Sequence, residues 1–159
     1  MKNTLIIFSF KILINMKKIY LFLMLLVAFT FNSFSQDLSQ PKGGGTLDIV
    51  LVSPGDGYSI MNFEGNITGY GLVFVKMKVS SINSSKTSGT LDGDARTILN
   101  DGTLISSPLK GSWKRSDASM KFYFVDAINN GAMNFVMWDI NMLEKKADVK
   151  YFELHSADN

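Results

Sequence analysis

From residue 46 onward the chain is a succession of short runs in which apolar and polar side chains alternate, each closed by a turn signal. Residues 46–53 end at Pro54-Gly55-Asp56-Gly57, residues 58–68 at Gly69-Tyr70-Gly71, and residues 72–81 at the polar Asn83-Ser84-Ser85-Lys86. Residues 89–99 stop at Asn100-Asp101-Gly102, residues 103–115 at Ser116-Asp117, and residues 120–127 at Asn129-Asn130-Gly131. Residues 132–140 end near Glu144-Lys145-Lys146, and residues 147–155 form the last run. This pattern predicts eight strands, and only residues 141–146 have the character of a helical turn. Links this short favour antiparallel neighbours, hence a meander. An eight-stranded meander removes its edges by closing on itself. The expected fold is therefore all-β: a single eight-stranded antiparallel up-and-down barrel over residues 46–159. A two-sheet sandwich of the same strands is the alternative.

The period of two assigns faces. Met61, Phe63, Gly65 and Ile67 oppose Asn62, Glu64, Asn66 and Thr68; Val73, Val75, Met77 and Val79 oppose Lys76 and Lys78. Leu91, Gly93, Ala95 and Leu99 oppose Asp92, Asp94 and Arg96, and Leu109, Gly111 and Trp113 oppose Lys110, Ser112 and Lys114. In the sixth run Phe122 and Phe124 share a face with Asp126. The expected interior, and with it any ligand-binding surface, is Phe63, Val75, Met77, Trp113, Phe122, Phe124, Asp126 and Phe135. The seventh run breaks the pattern, because Met133, Phe135 and Met137 on one face oppose Val136, Trp138 and Ile140 on the other. With Phe135 inside, the stripe Val136, Trp138, Ile140 is expected outside as an interface, and a homo-oligomer follows.

The residues before this region change the reading of charge and compartment. The first 35 residues carry Lys2, Lys11, Lys17 and Lys18 and no acidic residue. Met16-Lys17-Lys18, an apolar run of about 13 residues and the small Ser33 and Ser35 have the order of a secretory signal. Residues 1–35 are thus expected to be a signal peptide, with Met16 the true start, and residues 36–45, ending in three glycines, a flexible leader. A membrane anchor needs about 20 uninterrupted apolar residues, and Lys17 and Lys18 interrupt the stretch. The processed protein is expected to leave the membrane and to work in a bacterial periplasm or outside the cell. Setting the four leader lysines aside leaves 12 of the 16 basic residues against all 14 acidic ones. A slightly acidic domain has no basic face for nucleic acid. With no cysteine in the chain, stability must come from a hydrophobic core.

Candidate chemistry is sparse. His155 stands near the C-terminus as the single histidine, which cannot build a nucleophilic triad or a zinc site. There is no cysteine nucleophile, no Gly-x-Ser-x-Gly elbow and no phosphate loop, so no catalytic residue, metal or cofactor is assigned. Asp92 and Asp94 lie on the wet face beside Arg96, where a solvated strand with Arg96 neutralising its neighbours accounts for them. Asp126 stands out by its inward parity beside the Asn129-Asn130-Gly131 turn. It reads either as a carboxyl at a barrel mouth with a raised pKa or as a turn-initiating aspartate that bonds the following backbone. Twelve phenylalanines and nine methionines suit an apolar pocket or a solid core equally, since a barrel of eight strands either packs full or holds one small ligand.

The run Gly89-Thr90-Leu91-Asp92-Gly93-Asp94-Ala95-Arg96, then Asn100-Asp101-Gly102, then Gly111-Ser112-Trp113-Lys114, resembles a pattern of exported bacterial barrels similar to the allene oxide cyclase and dirigent superfamily. The resemblance spans residues 65–140 and rests on glycine spacing. It implies an eight-stranded antiparallel barrel with an apolar interior, often in an oligomer, and carries over no catalytic residue. Three functions stay open: a non-enzymatic exported barrel that binds a small apolar ligand or a partner surface, a cyclase-like or isomerase-like enzyme, and a structural or assembly module. Convergent polar groups in a cavity would favour the enzyme, and a solid barrel with an exposed Trp138 patch the module. The exported form is expected to begin at Gln36. N-terminal sequencing of the exported protein checks this, and a retained leader would refute it.

Overall fold

The computed structural model describes residue 38 and residues 40–157, so the expected signal peptide lies outside the described residues. Its strands are β1 (Gly43–Pro54), β2 (Tyr58–Ile67), β3 (Gly71–Ser81), β4 (Ser88–Leu99), β5 (Leu104–Ser116), β6 (Ser119–Ala127), β7 (Met133–Asn141) and β8 (Lys146–His155). Each pairs antiparallel with the next, and β8 returns to β1 to close the barrel. Closure gives every ladder two neighbours, which rules out the sandwich. The predicted helical turn after β7 is instead a tight turn. There the Asn141 side chain accepts the N–H groups of Leu143 and Glu144 at 3.1 and 3.3 Å.

The inward positions of β2 to β6 are those the alternation predicts. Phe63, Val75, Met77, Trp113, Phe122 and Phe124 are buried, and Asp126 is half-buried. Strand β7 is inverted relative to expectation. Val136, Trp138 and Ile140 point into the barrel and are buried, whereas Phe135 and Met137 point outward and are half-buried. The reason is register. Phe122 pairs with Trp138 and Phe124 with Val136, and directly paired residues share a face. Both faces of β7 are apolar, so alternation within the strand has no preference to express. On the outside Phe135 packs against Phe152, its partner on β8, with ring centroids 6.2 Å apart. The stripe Val136, Trp138, Ile140 is thus core rather than an interface, and the dimer argued from it has no surface to use.

The expected flexible leader is also shorter than its composition suggests. Gly43, Gly44 and Gly45 are the first residues of β1 and pair with Tyr151, Lys150 and Val149 of β8. A Cβ on Gly44 would lie 2.2 Å from the Val149 carbonyl oxygen, so the chain enters the sheet closer than a side chain permits. Polar, glycine-rich composition here marks close approach, not disorder.

The barrel is solid at its waist. Phe63 meets Trp138 edge-to-face at 4.8 Å, Phe124 meets Trp138 at 5.3 Å, and Phe122 stacks on Trp138 at 6.1 Å. Each such pair contributes about 0.5–1.5 kcal/mol beyond its area. With Met77 and Leu109, both almost fully buried, these rings fill the cross-section. Phe63, Met77 and Phe122 line neither end of the interior, which the plug divides into two separate cups.

Trp113 is anchored differently. Its Nε1–H donates to the carbonyl of Ser80 on β3 at 3.0 Å, reaching across β4. The crossing is open only because Gly89, its partner on β4, has no side chain. A Cβ there would lie 1.8 Å from the Ser80 oxygen and 2.6 Å from the indole nitrogen. Gly89→Ala is therefore expected to destabilise the barrel by about 1–3 kcal/mol through overpacking. Trp113→Ala, which leaves a cavity, should cost about 3–5 kcal/mol. Denaturant unfolding of both variants checks the pair, and an unchanged midpoint for Gly89→Ala would show that the indole does not cross β4.

Candidate functional site

One cup opens where β2, β4 and β6 end and β3, β5 and β7 begin. It is about 60 Å³, with Val75, Leu109, Phe124 and Trp138 toward its floor. Thr97, Ser107 and Asn134 are the buried polar side chains among the described residues, and all three line this cup. Tyr70 from the β2–β3 turn, Asp126 from β6 and Tyr151 from β8 complete it. A buried polar group costs free energy unless it is hydrogen-bonded, so three in one place call for an explanation that the hydrophobic core does not provide.

The local chain explains how these groups come together. Pro108 has no N–H to give a ladder, and the β5–β6 pairing starts only at Leu109. Beyond that point the β6–β7 loop folds onto β5. Asn129 N–H donates to the Ser106 carbonyl at 3.0 Å, and Ser106 N–H donates back to the Asn129 side chain at 3.2 Å. The loop is thereby fixed at the mouth, with Asp126 and Asn134 as direct partners across β6 and β7. Asp126 Oδ1 accepts the Asn134 backbone N–H at 3.1 Å. This carboxyl thus bonds the neighbouring strand and not the turn that follows it, so the turn-initiating reading gives way to the one at the barrel mouth. The Asn129-Asn130-Gly131 turn closes itself, with Ala132 N–H donating to Asn130 at 3.1 Å.

Burial dominates the electrostatics. It pushes the Asp126 carboxyl above its ordinary range, against the opposing pull of hydrogen bonds from Asn134. The Tyr70 phenol is raised first by burial and then by the nearby Asp126 and Tyr151. Burial, with Glu153 adding to it, raises Tyr151 as well. The two tyrosine rings lie 5.7 Å apart. Both phenols stay protonated at neutral pH, so the mouth presents hydroxyl donors beside one carboxyl, and among the described residues no lysine or arginine lines it. Trp138 Nε1–H is buried with no hydrogen-bond partner among the described residues, and its ring sits among Phe63, Phe122 and Phe124.

Of the interior residues expected from sequence, Val75, Phe124 and Asp126 line this cup, and Trp138, expected outside, joins them. Trp113 belongs to the opposite end, Phe63, Met77 and Phe122 form the plug, and Phe135 is outside. Sequence reasoning missed Tyr70, Thr97, Ser107, Asn134 and Tyr151. Thr97 and Ser107 were legible, since they continue the inward parity of Ala95 and Leu109. Asn134 was hidden by the inverted β7, and Tyr70 by its place in a turn. Asp92 and Asp94 are exposed as expected, but it is Lys110, 3.6 Å away, that pairs with Asp92, while Arg96 donates to the Ala95 carbonyl. Among the described residues no group of three or more His, Cys, Asp or Glu converges on a metal-binding geometry.

No family model, no curated protein and no solved structure matches this chain. The site therefore has to be read from its own chemistry.

The raised Asp126 predicts a pH dependence. The unfolded chain releases this proton at about the ordinary value of 3.8, and the folded chain holds it higher. Stability from this group is full below that ordinary value and is lost as pH rises through the raised one. Asp126→Asn should remove that fall while keeping an oxygen for the Asn134 N–H. Denaturant midpoints across the acid-to-neutral range check it, and an unaltered pH profile in the variant would refute the assignment.

Proposed function

We propose that the protein is an exported barrel whose Asp126 cup binds a small molecule with a short apolar body and an uncharged hydroxyl or carbonyl head. The observation that carries this reading is the gathering of Thr97, Ser107 and Asn134, buried, around one apolar cup. Ligand sites combine an apolar wall with a few placed polar groups, and this cup has both. On the scale where one water needs about 10–15 Å³, the cup holds only a few waters or a short ligand. A carboxyl with a raised pKa beside two neutral phenols favours an uncharged head over an anion, which would meet Asp126.

A second reading is favoured by the same convergence. A half-buried carboxyl whose proton is held above the ordinary carboxylate range by burial, in the same cup as the Tyr70 phenol, is equipped for general acid–base work on a bound substrate. This is the cyclase-like or isomerase-like alternative. It differs from simple binding in one respect: the ligand leaves altered.

Hexan-1-ol and hexanoate test the binding reading. The chain has two tryptophans, and Trp138 lines this cup, so Trp113→Phe leaves a single local reporter. Hexan-1-ol is expected to shift Trp138 fluorescence saturably. Hexanoate at pH 8 should bind at least about tenfold more weakly, the effect of about 1.4 kcal/mol of charge repulsion. Asp126→Asn should narrow that gap. Equal binding of both probes, or no saturable response to either, would overturn the proposal.

A further inference from the structure

The barrel has a second cup at the opposite end, framed by the β1–β2, β3–β4, β5–β6 and β7–β8 connections, and at about 460 Å³ it is much the larger. That volume lies within the usual range for small-molecule sites, roughly 300–1,000 Å³. Its floor is apolar and built largely of buried side chains: Met61, Val79, Trp113 and Met120. Methionines adapt to irregular apolar shapes.

The rim is cationic. Lys86 and Arg115 line the cup, with Asp117 the one acidic residue among the lining groups. A backbone bond joins the two segments that carry them. Arg115 N–H donates to the carbonyl of Thr87, the residue after Lys86, at 2.8 Å, which ties the β5–β6 turn to the β3–β4 loop. That loop is braced internally. Thr87 N–H donates to the Asn83 side-chain oxygen at 3.1 Å, and the Asn83 amide donates to the Thr87 hydroxyl at 2.9 Å. Arg115 Nε–H donates to the Asp117 backbone carbonyl at 2.8 Å, so this bond uses one of five guanidinium donors and spares the Asp117 carboxylate.

Two like charges lining one cup over an apolar floor are complementary to an amphipathic anion. We propose that this second cup binds an organic carboxylate with a medium-length hydrocarbon tail, its head held between Arg115 and Lys86 and its tail against Met61, Met120 and Trp113. Arg suits a carboxylate because its planar fork matches the two oxygens. The inference is independent of the Asp126 cup, which has no cation and repels such a head. The two ends of the barrel therefore select different charge states, an uncharged head at one and an anion at the other.

Trp113 lines this cup and Trp138 the other, so the indole N–H signals in a ¹⁵N-correlated spectrum of the protein distinguish them, with Trp113→Phe assigning the pair. Octanoate is expected to perturb Trp113 saturably while leaving Trp138 nearly unchanged, and octan-1-ol should move Trp113 at least tenfold more weakly. The Lys86→Gln/Arg115→Gln pair should weaken octanoate at least tenfold, and Asp117→Asn should tighten it. Both substitutions are on exposed side chains, and an unchanged thermal midpoint confirms that the fold is kept. Octanoate binding equal to that of octan-1-ol, an undiminished affinity in the double variant, or no saturable change at Trp113 would each overturn the proposal.

Discussion

The interior of this barrel is organised by the contact of Trp138 with three phenylalanine rings. An eight-stranded barrel has a bore just wide enough to be filled by side chains or to hold one small ligand, and the outcome depends on what stands at mid-height. Phe63 from β2, Phe122 and Phe124 from β6 and Trp138 from β7 meet there from different sides of the bore. The plug supplies the core that a cysteine-free domain of this size needs. It also separates the space above from the space below, so the barrel has two short cups instead of one through-going cavity.

Once divided, the two ends take their character from the groups at their rims. At one end the strand ends and the Tyr70 turn bring hydroxyls, an amide and a carboxyl to the rim, and burial raises both the Tyr70 phenol and the Asp126 carboxyl. At the other, a backbone hydrogen bond joins the β3–β4 loop that carries Lys86 to the end of β5 that carries Arg115, and both residues line the cup. The floors of both cups are similarly apolar. The two ends therefore differ chiefly in the electrostatics of their rims.

Glycine sets how closely the strands approach where large side chains must cross. The Trp113 indole reaches Ser80 over Gly89, and the glycine run at 43–45 lets β1 lie against β8 to close the barrel. The two ends of the meander are thus joined at positions that look, in composition, like a linker. The Trp113 hydrogen bond depends on an absent side chain at Gly89, on the strand between the indole and its acceptor.

The order of eight strands, their antiparallel pairing, the inward faces of β2 to β6 and the inward parity of Asp126 were all determined by the sequence alone. Alternation of period two is a local property, and on those strands one face is polar enough to leave a single solution. What only the tertiary structure decided is where local alternation has no preference or does not reach. Strand β7 is apolar on both faces, so its orientation was set by its register with β6, through Phe122 with Trp138 and Phe124 with Val136. The loop joining those two strands folds onto Ser106 of β5, a contact 23 residues apart in the chain. The gathering of Thr97, Ser107, Asn134 and Tyr70 around Asp126 has the same origin. Each comes from a different element, and only closure of the barrel brings them to one rim.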